Sequence, residues 1–175
     1  MKVDFGCGSK KREGFVGVDR IAFTGVDHVC AIGQEVLPFD DGSVEEAYAS
    51  HFVEHLTAPE RTQFVNELHR VLAPGGKATI IVPHWNSNRA YGDPTHQWPP
   101  VSEMWFYYLD RGWRAANAPH TDAEHVADGF ACDFHATWGY ALHPALASRN
   151  PEYQQYAVAN FKEAIQDMHA TLTKR

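Results

Sequence analysis

Hydrophobic residues fall into several short runs and one longer helical stripe, and this pattern predicts an α/β protein. Apolar side chains recur at helical spacing after Pro59, and the turn 74–76 (Pro-Gly-Gly) predicts where that helix ends. Residues 77–83 are almost continuously apolar at their centre, which is typical of a strand buried in a parallel sheet. The remaining predicted strands cover residues 2–5, 15–18, 27–30, 44–50, 130–142 and 166–173. The remaining segments are an aromatic helix or lid at 103–113, an exposed loop at 115–129 and a helix at 151–164.

The N-terminal segment carries the first candidate chemistry. A predicted strand runs into Gly6-Cys7-Gly8, and the second strand ends on Asp19. Glycine has no side chain, so the backbone of such a turn can come close to a ligand. An acidic residue at the end of the next strand can accept hydrogen bonds from the hydroxyl groups of a ribose. Together these features predict a nucleoside site at the carboxyl edge of a parallel sheet.

Composition narrows the class of protein. The chain has 175 residues, 44% hydrophobic and 21% charged, which predicts one globular domain with a sizeable core. No apolar run is long enough to cross a bilayer, and no signal peptide precedes the first strand. Three cysteines without paired spacing favour a reducing, cytoplasmic setting. The net charge of -7 disfavours a nucleic-acid partner, so we expect no nucleic acid and no membrane.

Several segments in a fixed order resemble class I S-adenosylmethionine-dependent methyltransferases over residues 1–83. They read DFGCG, GVD, LPFDDGS, SHFVEHL and ELHRVLAPGGKATIIVP. The resemblance implies a Rossmann-like sheet, mostly parallel with an antiparallel last strand and helices on both faces. Residues 9–14 are too few for the usual crossover helix, so we expect the first crossover to be shortened. The expected single domain, 1–175, divides into a cofactor-binding half at 1–83 and a half with substrate loop, lid and closing strands at 84–175.

The resemblance also implies S-adenosylmethionine as the cofactor and assigns residues to it. In this assignment Asp19 takes the ribose hydroxyls, and Ala31 stands where similar enzymes place an acid for the adenine amine. We expect Cys7 to serve as a small residue in a crowded turn rather than through its thiol. The cofactor-contacting residues implied in this way are Asp4, Gly6, Cys7, Gly8, Asp19, Arg20, Ala31, Ile32, Ser50 and His51.

Residues 84–100 follow the fifth strand at the edge where the transferable methyl group should lie, so we expect them to contact the acceptor. Methyl transfer mainly requires alignment of nucleophile, methyl carbon and sulfur, and a nearby base helps if the nucleophile carries a proton. Histidine titrates near neutral pH and suits that role. The candidate catalytic residues are His51, His84 and His96. No role is assigned to the segment 92–96 (GDPTH) beyond that of His96.

Two alternatives to a methyltransferase remain. One is a non-catalytic module of the same fold that binds a nucleoside. The other is a zinc hydrolase, because His51-x-x-Glu54-His55 fits a known pattern in which two histidines four residues apart on a helix bind the metal. The following Thr-Ala-Pro at 57–59 interrupts such a helix, so this reading is the least favoured and no metal ligand is assigned.

The acceptor is not named by the sequence. Acidity and small size favour a small molecule over a macromolecule. An exposed aromatic lid could be buried by a second copy of the chain, so a homodimer is a further expectation.

Overall fold

Seven strands form one sheet in the computed structural model, which describes residues 1–118 and 129–175. The strand order is β3-β2-β1-β4-β5-β7-β6. The strands β1 to β5 run parallel, and β7 is antiparallel to both β5 and β6. The expected Rossmann-like sheet with an antiparallel last strand is therefore confirmed. The strands are β1 (Lys2–Phe5), β2 (Val16–Asp19), β3 (His28–Val29), β4 (Val44–Ser50), β5 (Leu72–Pro83), β6 (Phe134–Leu142) and β7 (Ile165–Lys174).

Four α-helices accompany the sheet in the described part of the chain: α1 (Ala58–Val71), α2 (Glu103–Tyr107), α3 (Arg111–Asn117) and α4 (Pro151–Asn160). The start of α1 is fixed by Thr57, whose N–H and hydroxyl both donate to the Glu60 carboxylate, at 2.7 and 2.8 Å. This reciprocal arrangement satisfies a donor that the helix itself leaves free. The buried stripe of α1 packs on the sheet, with the ring of Phe64 5.5 Å from that of Phe5. None of the described helices is long and apolar enough to cross a membrane.

The first crossover is short, as the length of 9–14 predicted. No helix lies between β1 and β2; the chain makes turns there, with Lys10 N–H donating to Cys7 O and Phe15 N–H to Arg12 O. The Arg12 guanidinium lies 4.0 Å from the ring centre of Tyr48 on β4 and covers that ring. Cation–π packing thus replaces part of the cover that a crossover helix would give.

Several boundaries differ from the prediction. β5 begins at Leu72 rather than at 77, because Leu72 pairs with Val44 on β4 and the Pro-Gly-Gly turn lies inside the strand as an irregularity. β6 begins at Phe134 rather than at 130, and α4 ends at Asn160 rather than at 164. The aromatic stretch forms two short helices, since the Asp110 carboxylate accepts from Trp113 N–H and caps α3. Helix α3 also takes part of the predicted loop 115–129, whose residues 119–128 lie outside the described residues.

The carboxyl ends of β1, β2, β4 and β5 meet at one edge of the sheet. Loops that leave this edge are free of the core and can form a binding site, as is general for open α/β sheets. The core beneath it is apolar and fully buried, with Val3, Phe5, Val18, Ala47 and Ile80 at its centre.

Candidate active site

The turn after β1 is held tightly against β2. Gly6 N–H and Cys7 N–H both donate to Val18 O, at 2.8 and 3.3 Å. Gly6 has φ = +66°, and a Cβ at this position would lie 2.3 Å from the ring of Phe52. Any side chain at position 6 would therefore collide with that ring. The turn takes this path because glycine alone fits it.

Asp19 stands at the end of β2 beside this turn. Its Oδ2 accepts from Gly8 N–H at 2.9 Å, and its Oδ1 accepts from Ile21 N–H at 3.0 Å. These bonds fix the orientation of the carboxylate. An ionised carboxylate offers about four acceptor positions, so two remain for the hydroxyls of a ligand.

A cleft of about 520 Å³ opens over the turn and Asp19. Six of the predicted cofactor residues line it: Gly6, Asp19, Arg20, Ala31, Ile32 and His51. The other lining residues were not predicted and are Ile21, Phe23, Gln34, Phe52, His55, Leu56, Glu60, Thr95 and Gln97. The sequence held a usable signal for Ile21 and Phe23, since both are large apolar residues in the loop after Asp19. The structure leaves both of them exposed.

Four predicted cofactor residues are absent from this lining: Asp4, Cys7, Gly8 and Ser50. Asp4 is buried, and its carboxylate accepts from Arg12 N–H at 2.9 Å; burial raises the pKa of Asp4. The Cys7 sulfur packs on Gly17, where an added Cβ would come within 2.9 Å of it. Burial raises the pKa of the Cys7 thiol to about 11. Asp4 and Cys7 therefore support the turn from beneath.

A second pocket of about 570 Å³ adjoins the cleft. It is lined by His51, Glu54, His55, Pro83, Arg89, Gly92, Asp93, Pro94 and His96. His51 and His55 line both cavities, so these two residues mark the junction. The residues from Arg89 onward belong to the loop after β5, which the sequence had indicated as the acceptor-contacting segment.

His51 lies at that junction in an uncommon backbone conformation, with φ = +51°. Its N–H donates to Ile81 O at 2.9 Å, which ties the turn after β4 to β5. Its Nδ1 lies 3.3 Å from Glu54 Oε1, and this hydrogen bond raises the pKa of His51. The side chain is 41% exposed and is accessible to a ligand.

The other two candidate bases differ in position. His96 lines the second pocket, and its ring centre is 4.7 Å from that of His55. His84 is buried at 2% exposure and lines neither cavity. Its Nε2 lies 3.0 Å from Glu103 Oε1, and its Nδ1 accepts from Asn86 N–H at 3.2 Å. The structure thus brings His51 and His96 to one pocket and places His84 behind it, with both ring nitrogens engaged.

The loop that carries the second pocket is held at both ends. The buried Arg61 side chain donates to Val53 O at 3.0 Å, Glu54 O at 3.3 Å, Gln97 O at 3.1 Å and Pro99 O. At the other end, the Glu163 carboxylate accepts from Ser87 Oγ and Asn88 N–H. The lining residues of the loop lie between these two clamps, so the shape of the pocket is set before any ligand binds.

Comparison with known proteins agrees with this geometry. The model of the family described as a methyltransferase domain matches residues 9–80. A crystal structure of an S-adenosylmethionine-dependent methyltransferase from Archaeoglobus fulgidus superposes with a TM-score of 0.66 at 17% identity, covering 99% of this chain and 85% of that one. Geranyl diphosphate C-methyltransferase from Streptomyces coelicolor gives 0.56 at 17% identity, covering 99% and 72%. No curated protein matches the chain by sequence.

Residues 9–80 match the methyltransferase domain model, and the chain as a whole has the fold of these solved methyltransferases, which agrees with the resemblance seen in the sequence. The same fold also occurs in the [4+2]-cyclase SpnF, with a TM-score of 0.56 at 16% identity over 99% of this chain and 73% of that one. The fold alone therefore does not determine the reaction. The reaction has to be argued from the two cavities.

Proposed function

We propose that this protein is an S-adenosylmethionine-dependent methyltransferase that acts on a small-molecule acceptor. The observation that carries the proposal is the pair of adjoining cavities, of about 520 and 570 Å³, that share His51 and His55. A group-transfer enzyme needs one site for the donor and one for the acceptor, with the reacting atoms at the boundary. The cleft over Gly6 and Asp19 is the donor site in this proposal, and the second pocket is the acceptor site.

The walls of the cleft suit a nucleoside. Asp19 is held with free acceptor positions for ribose hydroxyls, and Ile32 and Phe23 offer apolar surface to the base. Ala31 N–H donates to Glu35 Oε2 at 2.7 Å and is thus already engaged. The nearby Gln34 amide donates to Glu60, which leaves its carbonyl oxygen as the acceptor for the adenine amine. Gln34 thereby supplies what the missing acid at position 31 would have supplied.

When bound, S-adenosylmethionine supplies a methyl group on a positively charged sulfur. The residues of this chain align the acceptor and take up its proton. His51 is the proposed proton acceptor, because it lies at the junction and is hydrogen-bonded to Glu54. Bound S-adenosylmethionine would supply the methyl group, and His51 would take up the proton that the acceptor loses. His84 acts as a positioning residue at the start of the acceptor loop.

Pocket size and charge favour a small acceptor. A cavity of about 570 Å³ lies in the range that encloses a small organic molecule. The chain carries a net charge of -7, which disfavours the phosphate backbone of a nucleic acid. The cytoplasmic setting and the homodimer stay predictions.

The cofactor site is tested by calorimetric titration with S-adenosylhomocysteine, S-adenosylmethionine and NAD. We expect the first two to bind and NAD not to bind. A ligand at 100 times its dissociation constant should stabilise the fold by roughly 2.7 kcal/mol, which a thermal shift would also detect. Asp19→Asn should weaken binding of both adenosyl ligands at least 10-fold, while Asp40→Asn, which changes an exposed carboxylate outside the cleft, should leave it unchanged. Tight binding of NAD, or an Asp19→Asn variant with wild-type affinity, would overturn the assignment.

Catalysis is tested separately by following S-adenosylhomocysteine formation with a library of hydroxyl, amine and thiol acceptors. His51→Gln should lower turnover by about 100-fold or more while changing cofactor affinity far less, as expected for loss of a base. His169→Gln, at an exposed position on β7, is the matched control. Cofactor binding without turnover of any acceptor in the library would favour the non-catalytic nucleoside-binding module.

A further inference from the structure

Three side chains on the wall of the second pocket form a cluster that the proposed methyl transfer does not require. Glu54, His55 and His96 each offer one ligand atom, and these three atoms lie within 4.8 Å of one another. Glu54 and His55 belong to a 3-10 turn after β4, Val53–His55, whereas His96 comes from the loop after β5. The cluster therefore exists only in the folded protein.

Glu54 is the least satisfied member of the cluster. It is only 4% exposed, and its Oε1 is engaged with His51. Its Oε2 is fully buried and has no hydrogen-bond partner among the described residues. A buried carboxylate oxygen without a partner carries a cost of several kcal/mol, so such an atom calls for a bound cation or donor.

The two histidines are held so that one nitrogen of each is left as an acceptor. Thr95 Oγ donates to Asp93 Oδ1 at 2.7 Å, so the Thr95 oxygen accepts from His55 Nδ1 at 3.0 Å. His96 Nδ1 donates to Ala90 O at 3.3 Å. Each ring therefore keeps its proton on Nδ1 and presents the lone pair of Nε2. Metal-binding histidines in proteins are oriented by such outer hydrogen bonds.

We propose that Glu54, His55 and His96 bind one divalent transition-metal ion at the wall of the second pocket. Two imidazole nitrogens and one carboxylate oxygen favour Zn²⁺, Co²⁺, Fe²⁺ or Mn²⁺ over Mg²⁺ and Ca²⁺, which prefer oxygen ligands alone. Metal–ligand bonds of about 2.0–2.2 Å would bring the donor atoms to about 3.0–3.5 Å apart. The present separations require the side chains to close by roughly 1 Å.

This site differs from the zinc hydrolase motif that the sequence suggested. That motif pairs His51 with His55 on one face of a helix, but here His51 precedes a single 3-10 turn and His55 is the last residue of that turn. His51 Nδ1 is bonded to Glu54 rather than aligned with His55. The second histidine ligand is His96, and the carboxylate of the motif becomes a ligand. Asp93 Oδ2 lies 3.9 Å from His96 Nε2 and offers a further oxygen.

Three protein ligands leave coordination positions open toward the pocket. If the proposed function holds, an ion at this point would bind an oxygen of the acceptor and make its hydroxyl a better nucleophile, since metal coordination lowers the pKa of a bound hydroxyl group. The binding of the metal itself does not depend on that function.

The test uses tag-free protein, stripped with EDTA, and titrates it with Co²⁺ followed by visible absorption and with Zn²⁺ followed by calorimetry. We expect one ion per chain and a cobalt spectrum typical of mixed nitrogen and oxygen ligands. His96→Gln and Glu54→Gln keep the approximate shape of the side chains and should each weaken binding at least 10-fold. Thr95→Val removes no ligand atom but loses the hydroxyl that bonds His55 Nδ1 and Asp93 Oδ1, and it should weaken binding about 10-fold. His169→Gln, an exposed histidine far along the sequence, should bind as the wild type does.

Absence of stoichiometric binding would overturn the proposal, as would equal loss of binding in His169→Gln and His96→Gln. Circular dichroism on each variant establishes that its fold is intact, and Glu54→Gln and Thr95→Val offer two further readings if His96→Gln does not fold. Titration with S-adenosylhomocysteine, with and without metal, separates the two proposals. Cofactor binding without metal binding rejects only the metal site, and metal binding without cofactor binding rejects only the methyltransferase.

Discussion

The two cavities meet at His51 but are built from different parts of the chain. The floor of the cleft over β1 and β2 is shaped by the path of the backbone, with Gly6 packed against Phe52 and one carboxylate, Asp19, held by two N–H groups. The second pocket is formed mainly by side chains on turns and a loop, among them three histidines, two carboxylates and one arginine. Backbone geometry should therefore determine the shape of the cleft, and side-chain contacts should determine the shape of the second pocket.

The largest expected loss of stability comes from disrupting the second pocket. Arg61→Met leaves four backbone carbonyls without the buried guanidinium that binds them. A buried acceptor left without a partner costs about 1–3 kcal/mol, and two of the four bonds are fully buried while two are only partly buried. The free energy of unfolding should therefore fall by about 3–5 kcal/mol. Urea unfolding measures this, and hydrogen exchange should show faster opening at 92–100. Arg111→Met is the control, since that side chain is exposed and donates to Ala131 O, and its cost should stay below about 1 kcal/mol.

The next largest loss of stability comes from a substitution in the backbone turn of the cleft. Gly6→Ala places a Cβ at φ = +66° within 2.3 Å of the Phe52 ring. Left-handed conformation and overpacking together should cost about 3 kcal/mol and should also abolish cofactor binding. Gly8→Ala has a similar φ of +54° but no atom within 4 Å of its added Cβ, so it should cost only about 1 kcal/mol. Equal losses of stability in the two variants would show that the collision with Phe52 is unimportant.

A smaller effect concerns the support behind the second pocket. The Glu103 carboxylate accepts from His84, Trp85 and Tyr140, at 3.0, 3.0 and 2.9 Å. The hydrogen bond with His84 is the main cause that lowers the pKa of Glu103 from 4.5 to about 2. A pKa lower in the folded than in the unfolded chain stabilises the fold above pH 4.5, and this stabilisation is lost as the pH falls toward 2.

Glu103→Gln should therefore lower the free energy of unfolding by about 1–2 kcal/mol at pH 7, allowing for screening at this partly exposed group. The difference from the wild type should shrink between pH 4.5 and pH 2. Urea unfolding at pH 7, 5 and 3 checks this, with the exposed Glu13→Gln as the control. A difference that stays constant over this range would assign the stabilisation to packing rather than to charge.

The smallest expected effect concerns the side chain that packs beneath the turn of the cleft. Cys7→Ala removes a side chain that packs beneath the turn and does not line the cavity. Unfolding free energy should change by less than about 1 kcal/mol, and the affinity for S-adenosylhomocysteine should stay within about 2-fold.

With the pKa of its thiol raised to about 11, Cys7 should react with iodoacetamide at pH 8 about 100-fold more slowly than a free cysteine. Rapid labelling would mean that the thiol is exposed to ligands.

Much of the fold was predictable because local pattern and long-range packing agree. The strand at 44–50 and the α1 stripe follow directly from apolar spacing, and the short first crossover follows from residue count. The start of β5 was not predictable, because Pro74-Gly75-Gly76 is a strong local stop signal and only the pairing of Leu72 with Val44 extends the strand through it. There, strand pairing within the sheet outweighs the local preference of the Pro-Gly-Gly segment for a turn.

The site was predictable in part for a similar reason. Gly6 and Asp19 lie in a short segment with a recognisable order, so the sequence alone indicates the cleft. His84 and His96 look equivalent in the sequence, and only the fold shows that one is buried against Glu103 while the other reaches the pocket. The pairing of Glu54 with His96 across the sheet edge depends on tertiary contacts that no local pattern contains.

The two clamps on the loop after β5 have a consequence for how such a protein could change over time. Arg61 fixes the end of the loop, and Glu163 fixes its beginning, so residues 89–96 lie between two points that are held by hydrogen bonds. Lengthening an insert of this kind costs little, about 0.6 kcal/mol for each doubling of its length. Replacing residues 89–96 would therefore change the second pocket, and with it the acceptor preference of the proposed enzyme, while the cleft and the core stay in place.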